Sequence, residues 1–150
     1  SFFGKTTLIQ ALVAQGGVYY SDEFAVLDAR GRVLPWAESL SIRPDGSRKR
    51  AVSHSPDSLG IVVGRIARPV RLVVLTAFEK GRSFRPKRIT PAGGTLGLLE
   101  HTLPARARPR LALRVLTSTV FGAQVIQGVR GEAAEAARVI VRLLDAPRPL

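Results

Sequence analysis

Apolar residues recur every three or four positions in several segments of the chain, which is the spacing of one face of an α-helix. The pattern is most regular over residues 6–15 and residues 132–145. Another helix is predicted to begin at Thr90-Pro91, where a hydroxyl N-cap precedes a proline. Residues 110–120 fit a helix better than a strand. We therefore expect four helices.

Short apolar runs lie between these segments and predict strands over residues 18–20, 59–63, 70–76 and 123–129. Residues 59–63 and 70–76 are rich in β-branched residues. Residues 24–28 and 32–35 flank a turn and predict a hairpin, residues 40–43 predict another strand, and the polar stretch 44–56 predicts a surface loop. Helices and strands are interspersed, so the expected class is α/β with a mixed β-sheet flanked by helices.

Length and composition narrow the class of protein. With 150 residues and 45% hydrophobic residues, the chain should form one domain over residues 1–150. The absence of cysteine excludes disulfides and thiolate metal sites, and two histidines are too few for a three-histidine zinc site. No apolar run approaches the ~20 residues that span a bilayer, so we expect no membrane segment and a cytoplasmic protein.

The net charge suggests a different class of partner. Nineteen arginines and four lysines against 11 acidic residues give a net charge of +12, which can mark a nucleic-acid-binding protein. The arginines are scattered along the chain, however, and aromatic residues make up only 6% of it. A basic nucleic-acid-binding domain is therefore the weaker alternative.

The segment Gly4-Lys5-Thr6 matches the second half of a P-loop, G-x-x-x-x-G-K-[ST]. Backbone N–H groups of such a loop point at phosphate oxygens, Lys5 would supply a charge to the β- and γ-phosphates, and the Thr6 hydroxyl can hold Mg²⁺. The first glycine of the motif would lie two positions before Ser1, and the chain contains no methionine. We therefore expect an N-terminally truncated domain that lacks its first strand and that glycine.

A pair of carboxylates completes the candidate site. Asp22 lies 17 residues after Lys5, which leaves room for one helix and one strand, and Glu23 follows it. A carboxylate at the end of that strand, beside the loop, can hold Mg²⁺ or accept a proton from an attacking hydroxyl. Together, the loop and the carboxylates predict a nucleotide-phosphate site.

These motifs resemble the catalytic domain of HPr kinase/phosphorylase, a family of the phosphoenolpyruvate-carboxykinase-like P-loop group. The similarity lies in Gly4-Lys5-Thr6-Thr7-Leu8, in the Gly-Gly pair that follows the helix, and in Tyr20-Ser21-Asp22-Glu23. It is specific at the loop and at Asp22 and looser beyond Arg43. The resemblance implies an HPr-kinase-like P-loop fold and an ATP-dependent kinase that uses Mg²⁺.

The resemblance also implies roles for individual residues. Gly4, Lys5, Thr6 and Thr7 would bind the ATP phosphates, and Thr6 would bind Mg²⁺. Asp22 would take the proton from a seryl hydroxyl, which makes Asp22 and Lys5 the candidate catalytic residues. Asp22 and Glu23, the latter in place of a second aspartate, would complete the metal ligands.

Two arginines are further candidates. Arg88 stands where the family has an arginine near the phosphates. Arg130, just before the last helix, could clamp phosphate, although we expect a surface arginine there.

The acceptor stays open, because residues 55–58 read Ser-Pro-Asp-Ser where the family has a Glu-Val-Arg-Gly-type segment. The expected partner besides ATP is a protein, peptide or small molecule with a hydroxyl group. A nucleotide-binding module without catalytic activity is the main alternative, and the sequence leaves a homo-oligomer open.

Overall fold

The computed structural model of the chain describes residues 4–42 and 52–146. Within these ranges lie four α-helices: α1 (Lys5–Val13), α2 (Pro91–Leu99), α3 (Pro109–Phe121) and α4 (Ala133–Asp145). The same ranges contain seven strands: β1 (Arg32–Val33), β2 (Leu40–Ile42), β3 (Val52–His54), β4 (Arg68–Pro69), β5 (Leu72–Phe78), β6 (Lys87–Arg88) and β7 (Gln124–Arg130). The four predicted helices are confirmed. In these ranges no helix combines the length and the apolar character needed to cross a membrane.

The largest sheet in the described ranges has the strand order β5-β7-β6. Strands β5 and β7 are parallel and in register from Leu72–Gln124 to Phe78–Arg130, whereas β6 runs antiparallel to β7. The prediction of an α/β chain with a mixed sheet flanked by helices is therefore confirmed. Membership of the HPr-kinase-like P-loop fold stays a prediction.

Helices cover both faces of this sheet. Successive side chains of a strand point to opposite faces, so neighbouring residues of β7 belong to two different apolar clusters. Ile126 of β7 packs with Ala136 and Ile140 of α4, and the leucines of α1 join this cluster. On the other face, Val125 of β7 packs with Val120 of α3. Helix α1 thus rests on α4, at one side of the parallel strand pair.

The turn predicted around residues 29–31 is confirmed, but residues 24–28 form no strand and pair with the other side through one antiparallel bridge, Leu27–Val33. Asp28 explains why the chain turns there. Its carboxylate accepts hydrogen bonds from the backbone N–H groups of Arg30 and Arg32 and from the Arg32 side chain, at 2.8 to 2.9 Å. These hydrogen bonds, led by the one from the Arg32 backbone, hold the pKa of Asp28 below its ordinary value. Strand β1 follows this turn and pairs antiparallel with β4.

Two further strand predictions are only partly right. Tyr19 forms a single parallel bridge with Val63, because sheet-type hydrogen bonds extend only to Val62 and Gly64. The predicted strand over residues 59–63 begins instead with a 3₁₀ turn, Asp57–Leu59. Such short pairings give too few alternating positions to be recognised in the sequence.

The loop predicted over residues 44–56 is wrong at its end, where β3 pairs antiparallel with β2. Leu40 of β2 is fully buried and pairs with His54 of β3. The two residues are far apart in the sequence, so a local pattern could not predict their pairing. The rest of the predicted loop, residues 44–51, lies outside the described residues, as does Arg43 of the predicted strand 40–43.

Gly31 joins the hairpin to α3 and gives a test of this packing. Its φ is +73°, and a Cβ there would lie 2.5 Å from the backbone nitrogen of Thr119. We expect Gly31→Ala to lower the free energy of unfolding by about 3 kcal/mol, from the left-handed backbone and the overpacking together. Urea denaturation measures the change.

Gly81→Ala is the matched control for this prediction. Gly81 has a φ of +79° with open space around it, so its substitution should cost about 1 kcal/mol from the backbone alone. Equal losses in the two variants would show that the hairpin does not pack against α3 in solution.

Candidate functional site

Helix α1 begins at a glycine whose backbone is left-handed. Gly4 has φ 63° and ψ 26°, and its carbonyl accepts the first helical hydrogen bond from the N–H of Leu8 at 3.1 Å. No side chain in the described residues caps this end, and its first turn holds no acidic residue. By contrast, the Thr90 hydroxyl caps α2 by accepting the N–H of Gly93. The uncapped amides and the helix dipole favour an anion at the start of α1.

Asp22, predicted to lie beside the loop, is in direct contact with Thr6. The Thr6 hydroxyl donates to Asp22 Oδ2 at 2.7 Å, and both residues are partly buried. Thr6 lies on the first turn of α1, whereas Asp22 lies three residues beyond the bridge that Tyr19 makes with Val63. One helix and one short extended segment therefore bring a hydroxyl and a carboxylate together beside the α1 N-terminus.

Two tyrosines hold the segment that carries Asp22. The Tyr19 hydroxyl donates to the carbonyl of Glu38 at 3.0 Å, and the Tyr20 hydroxyl donates to the carbonyl of Ile66 at 2.7 Å. Burial, then the nearby charges of Asp22 and Glu38, raise the pKa of Tyr19 above its ordinary value. Tyr19 therefore stays protonated at neutral pH and keeps its donor.

The second oxygen of Asp22 bears on whether a metal fits here. Oδ1 is shielded from solvent and has no hydrogen-bond partner among the described residues, an arrangement that costs about 1–3 kcal/mol. Those residues contain no group of three or more His, Cys, Asp or Glu that could hold a metal ion. Mg²⁺ does not need such a group, since it is commonly held by one or two carboxylates, phosphates and water. Thr6 and Asp22 fit that smaller set of ligands.

The other predicted site residues lie around this contact without joining it. Lys5 and Thr7 are exposed on the first turn of α1, on either side of Thr6. Glu23 is exposed, and in the described part of the chain only Asp22 of the two carboxylates hydrogen-bonds Thr6. The metal role of Glu23 therefore stays a prediction.

The expectation that Arg130 is a surface residue is wrong. Arg130 is 2% exposed, and its Nη2 donates to the carbonyl of Gly4 at 2.8 Å. No local pattern in the sequence indicates this contact, because 126 residues separate the partners. The available signal was the position of Arg130 at the end of β7, two residues before a predicted helix, since ligand sites often lie at the carboxyl ends of parallel strands.

Arg88 lies towards the other end of the same strand. It pairs with Ile126, four residues before Arg130 and about 13 Å away along β7. There it lines a separate cavity of about 260 Å³ with Phe121 and Gln124. The described residues thus give Arg88 no contact with the α1 N-terminus.

No protein-family model matches this chain. The curated proteins and the solved structures likewise contain no match to it. The resemblance to HPr kinase/phosphorylase therefore rests on the motifs alone, and the function has to be argued from the contact between Thr6 and Asp22.

Proposed function

We propose that this chain binds Mg²⁺·ATP at the start of α1 and transfers the γ-phosphoryl group to a hydroxyl acceptor, in the manner of an HPr-kinase-like domain. The observation that carries the proposal is the 2.7 Å hydrogen bond from the Thr6 hydroxyl to Asp22 Oδ2. It joins the threonine of a Gly-Lys-Thr motif to a carboxylate three residues beyond the Tyr19–Val63 bridge. P-loop enzymes hold Mg²⁺ with a threonine or serine and an aspartate of this kind.

The α1 N-terminus supports phosphate binding in three ways. Its first amides have no side-chain cap among the described residues, the helix dipole adds a partial positive charge, and the exposed Lys5 adds a full one. Gly4 in the left-handed conformation begins the helix without a side chain that would keep a phosphate away. The site therefore favours a polyphosphate over a neutral ligand.

Thr6 and Asp22 would hold the magnesium ion, with Glu23 as the predicted additional ligand. When bound, Mg²⁺ would neutralise charge on the phosphates. The protein holds the Thr6 oxygen and the Asp22 carboxylate in fixed relative positions. Their own hydrogen bond and the hydrogen bonds of Tyr19 and Tyr20 keep them there.

Transfer itself asks little covalent chemistry of the protein. The acceptor oxygen would form a bond to the γ-phosphorus while the bond to the β–γ bridging oxygen breaks, and ADP would leave with that electron pair. The hydroxyl proton would pass to Asp22. The hydrogen bond from Thr6 to Oδ2 would hold the carboxylate in place for this transfer.

The matched pair Thr6→Val and Thr6→Ser tests the proposal at its central contact. Valine keeps the shape and removes the hydroxyl, whereas serine keeps the hydroxyl. We expect Thr6→Val to weaken Mg²⁺·ATP binding by about tenfold, the value of one hydrogen bond to a charged group, and Thr6→Ser to bind within about threefold of the unchanged protein. Isothermal titration calorimetry with Mg²⁺ and with EDTA measures both variants.

The magnesium dependence gives the sharper readout. Loss of the hydroxyl should reduce the difference between the affinities with Mg²⁺ and with EDTA, because Thr6 is proposed to act through the metal. An equal effect of Thr6→Val in both buffers would contradict the metal role. Failure of the unchanged full-length protein to bind Mg²⁺·ATP would refute the proposed function.

A second assay separates a kinase from a nucleotide-binding module without activity. Labelled γ-phosphate from ATP is offered to seryl peptides and small hydroxyl compounds, and ATP hydrolysis is followed in parallel. The kinase proposal predicts labelled product or, without the right acceptor, slow hydrolysis that requires Mg²⁺. Tight ATP binding with neither would favour the non-catalytic module.

A further inference from the structure

Arg130 links the end of the central strand to the beginning of α1. Its Nη2 donates to the carbonyl of Gly4 at 2.8 Å, and its Nη1 donates to the carbonyl of Gly131 at 3.1 Å. The guanidinium carbon lies 5.5 Å from the centre of the Phe78 ring, on the neighbouring strand β5. The guanidinium is thus fixed by β5 and β7 and bonded to the residue that begins α1.

The Gly4 carbonyl accepts two hydrogen bonds, one from the N–H of Leu8 and one from Arg130. A peptide unit is planar and trans, so its C=O and N–H groups point in opposite directions. Fixing the Gly4 carbonyl therefore fixes the N–H of Lys5, which points away from Arg130 and out of the helix end. This N–H is one of the amides proposed to meet phosphate.

We propose that Arg130 is a positioning residue of the nucleotide site: by holding the Gly4 carbonyl it keeps the first amides of α1 aimed at the phosphates. The inference rests on the proposed function and adds to it a residue that the Gly-Lys-Thr motif does not contain. Arg130 acts through the loop backbone and need not touch the nucleotide.

The chemistry of the contact favours arginine. A planar guanidinium presents several N–H donors in a rigid fork and can bridge the carbonyls of Gly4 and Gly131, whereas the ammonium of lysine is a compact point charge without that fork. Gly4 matches this partner, since a Cβ there would lie 3.0 Å from Nη2 and its φ is +63°. The left-handed backbone and this close contact both favour glycine at position 4.

Charge supports the same role. Burial lowers the pKa of Arg130, and the charge of Glu132 acts in the opposite direction. An arginine nevertheless stays protonated in proteins, so a full positive charge lies behind the α1 N-terminus. This charge and the positive end of the helix dipole lie at the same end of α1, and both favour an anion there.

The first test compares ATP affinity in Arg130→Lys and Arg130→Ala with that of the unchanged full-length protein. We expect both variants to weaken Mg²⁺·ATP binding by about tenfold, and low-millimolar guanidinium to restore most of the loss in Arg130→Ala. Urea at the same concentration, a neutral molecule of similar shape, should restore nothing. Arg71→Ala is the matched control, because Arg71 also donates to a backbone carbonyl, that of Leu144, at an exposed position.

The second test needs no nucleotide. The Leu8 amide donates to the Gly4 carbonyl, so its hydrogen exchange reports on the peptide that Arg130 holds. Without ATP, exchange at Leu8 should be at least about fivefold faster in Arg130→Lys, whereas the amide of Gly17, which donates to the Leu12 carbonyl at the other end of α1, should not change. A residue that only contacted phosphate would leave this rate unaltered.

The outcomes separate the two proposals. Unchanged ATP affinity and unchanged Leu8 exchange in Arg130→Lys, in a protein that binds Mg²⁺·ATP, would overturn the role of Arg130 and leave the proposed function standing. No ATP binding by the unchanged protein would overturn the proposed function, and the nucleotide role of Arg130 with it. Weakened binding without guanidinium rescue and without faster exchange would also count against Arg130 as a positioning residue.

Discussion

Phosphoryl transfer should fall by about 10²-fold or more in Asp22→Asn, while ATP affinity stays within about an order of magnitude of the unchanged protein. Asparagine keeps the size of aspartate, and its side-chain carbonyl can still accept the hydrogen bond that Thr6 donates to Oδ2. The substitution therefore removes the charge and the proton acceptor but not the contact. Single-turnover transfer from labelled ATP, beside calorimetric ATP binding, measures the two effects separately.

Glu23→Gln is the matched control, because Glu23 is the neighbouring carboxylate and is exposed. It should reduce transfer far less than Asp22→Asn if Asp22 is the base. If Asp22 chiefly holds Mg²⁺ instead, ATP affinity will fall together with the rate, and a higher magnesium concentration will restore part of both. Undiminished turnover in Asp22→Asn would refute both roles.

The meeting of Thr6 and Asp22 illustrates what the sequence could predict. The helix from Lys5 to Val13 follows from local apolar spacing. A chain that turns back after this helix and runs antiparallel to it brings the next extended segment towards the helix N-terminus. The spacing between Lys5 and Asp22, which fits one helix and one extended segment, was therefore enough to predict that Asp22 lies near the α1 N-terminus. The same holds for β5 and β7, whose long β-branched runs are recognisable without their partners.

Features that depend on distant partners could not be predicted in this way. Strand β3 has three residues and exists because it pairs with β2 across residues that the structure does not describe. Arg130 looks like any surface arginine in the sequence, and its burial follows from two elements meeting at Gly4. Local propensity carries no information about either contact, since both arise only when separate elements pack.

Short motifs predict the chemistry that a site could perform, but not every residue that forms the site. Glycine, lysine and threonine at the start of a helix have a physical reason to be adjacent, because one turn must present amides, a cation and a metal ligand to the same phosphates. Arg130, which donates to the Gly4 carbonyl, is not part of this motif. Nothing in the spacing of the motif requires it, so only the structure shows this contact.

Lys5→Ala should weaken ATP binding by about 30-fold or more, because a charge-assisted contact to phosphate contributes about 2–3 kcal/mol. Lys5 is exposed, so its removal should leave the melting temperature of the nucleotide-free protein unchanged. Lys80→Ala is the matched control, since Lys80 is also exposed but lies in the turn after β5. Calorimetric titration of both variants with Mg²⁺·ATP gives the comparison.

The nucleotide series makes this prediction specific to the phosphates. A lysine that reaches the β- and γ-phosphates should matter for ATP and ADP and hardly at all for AMP, which lacks both groups. Loss of affinity for all three nucleotides alike would place the Lys5 side chain elsewhere in the site. Equal ATP affinity in Lys5→Ala and Lys80→Ala would remove the charge argument for the α1 N-terminus, because the remaining amides and the helix dipole are features that many helices without a ligand share.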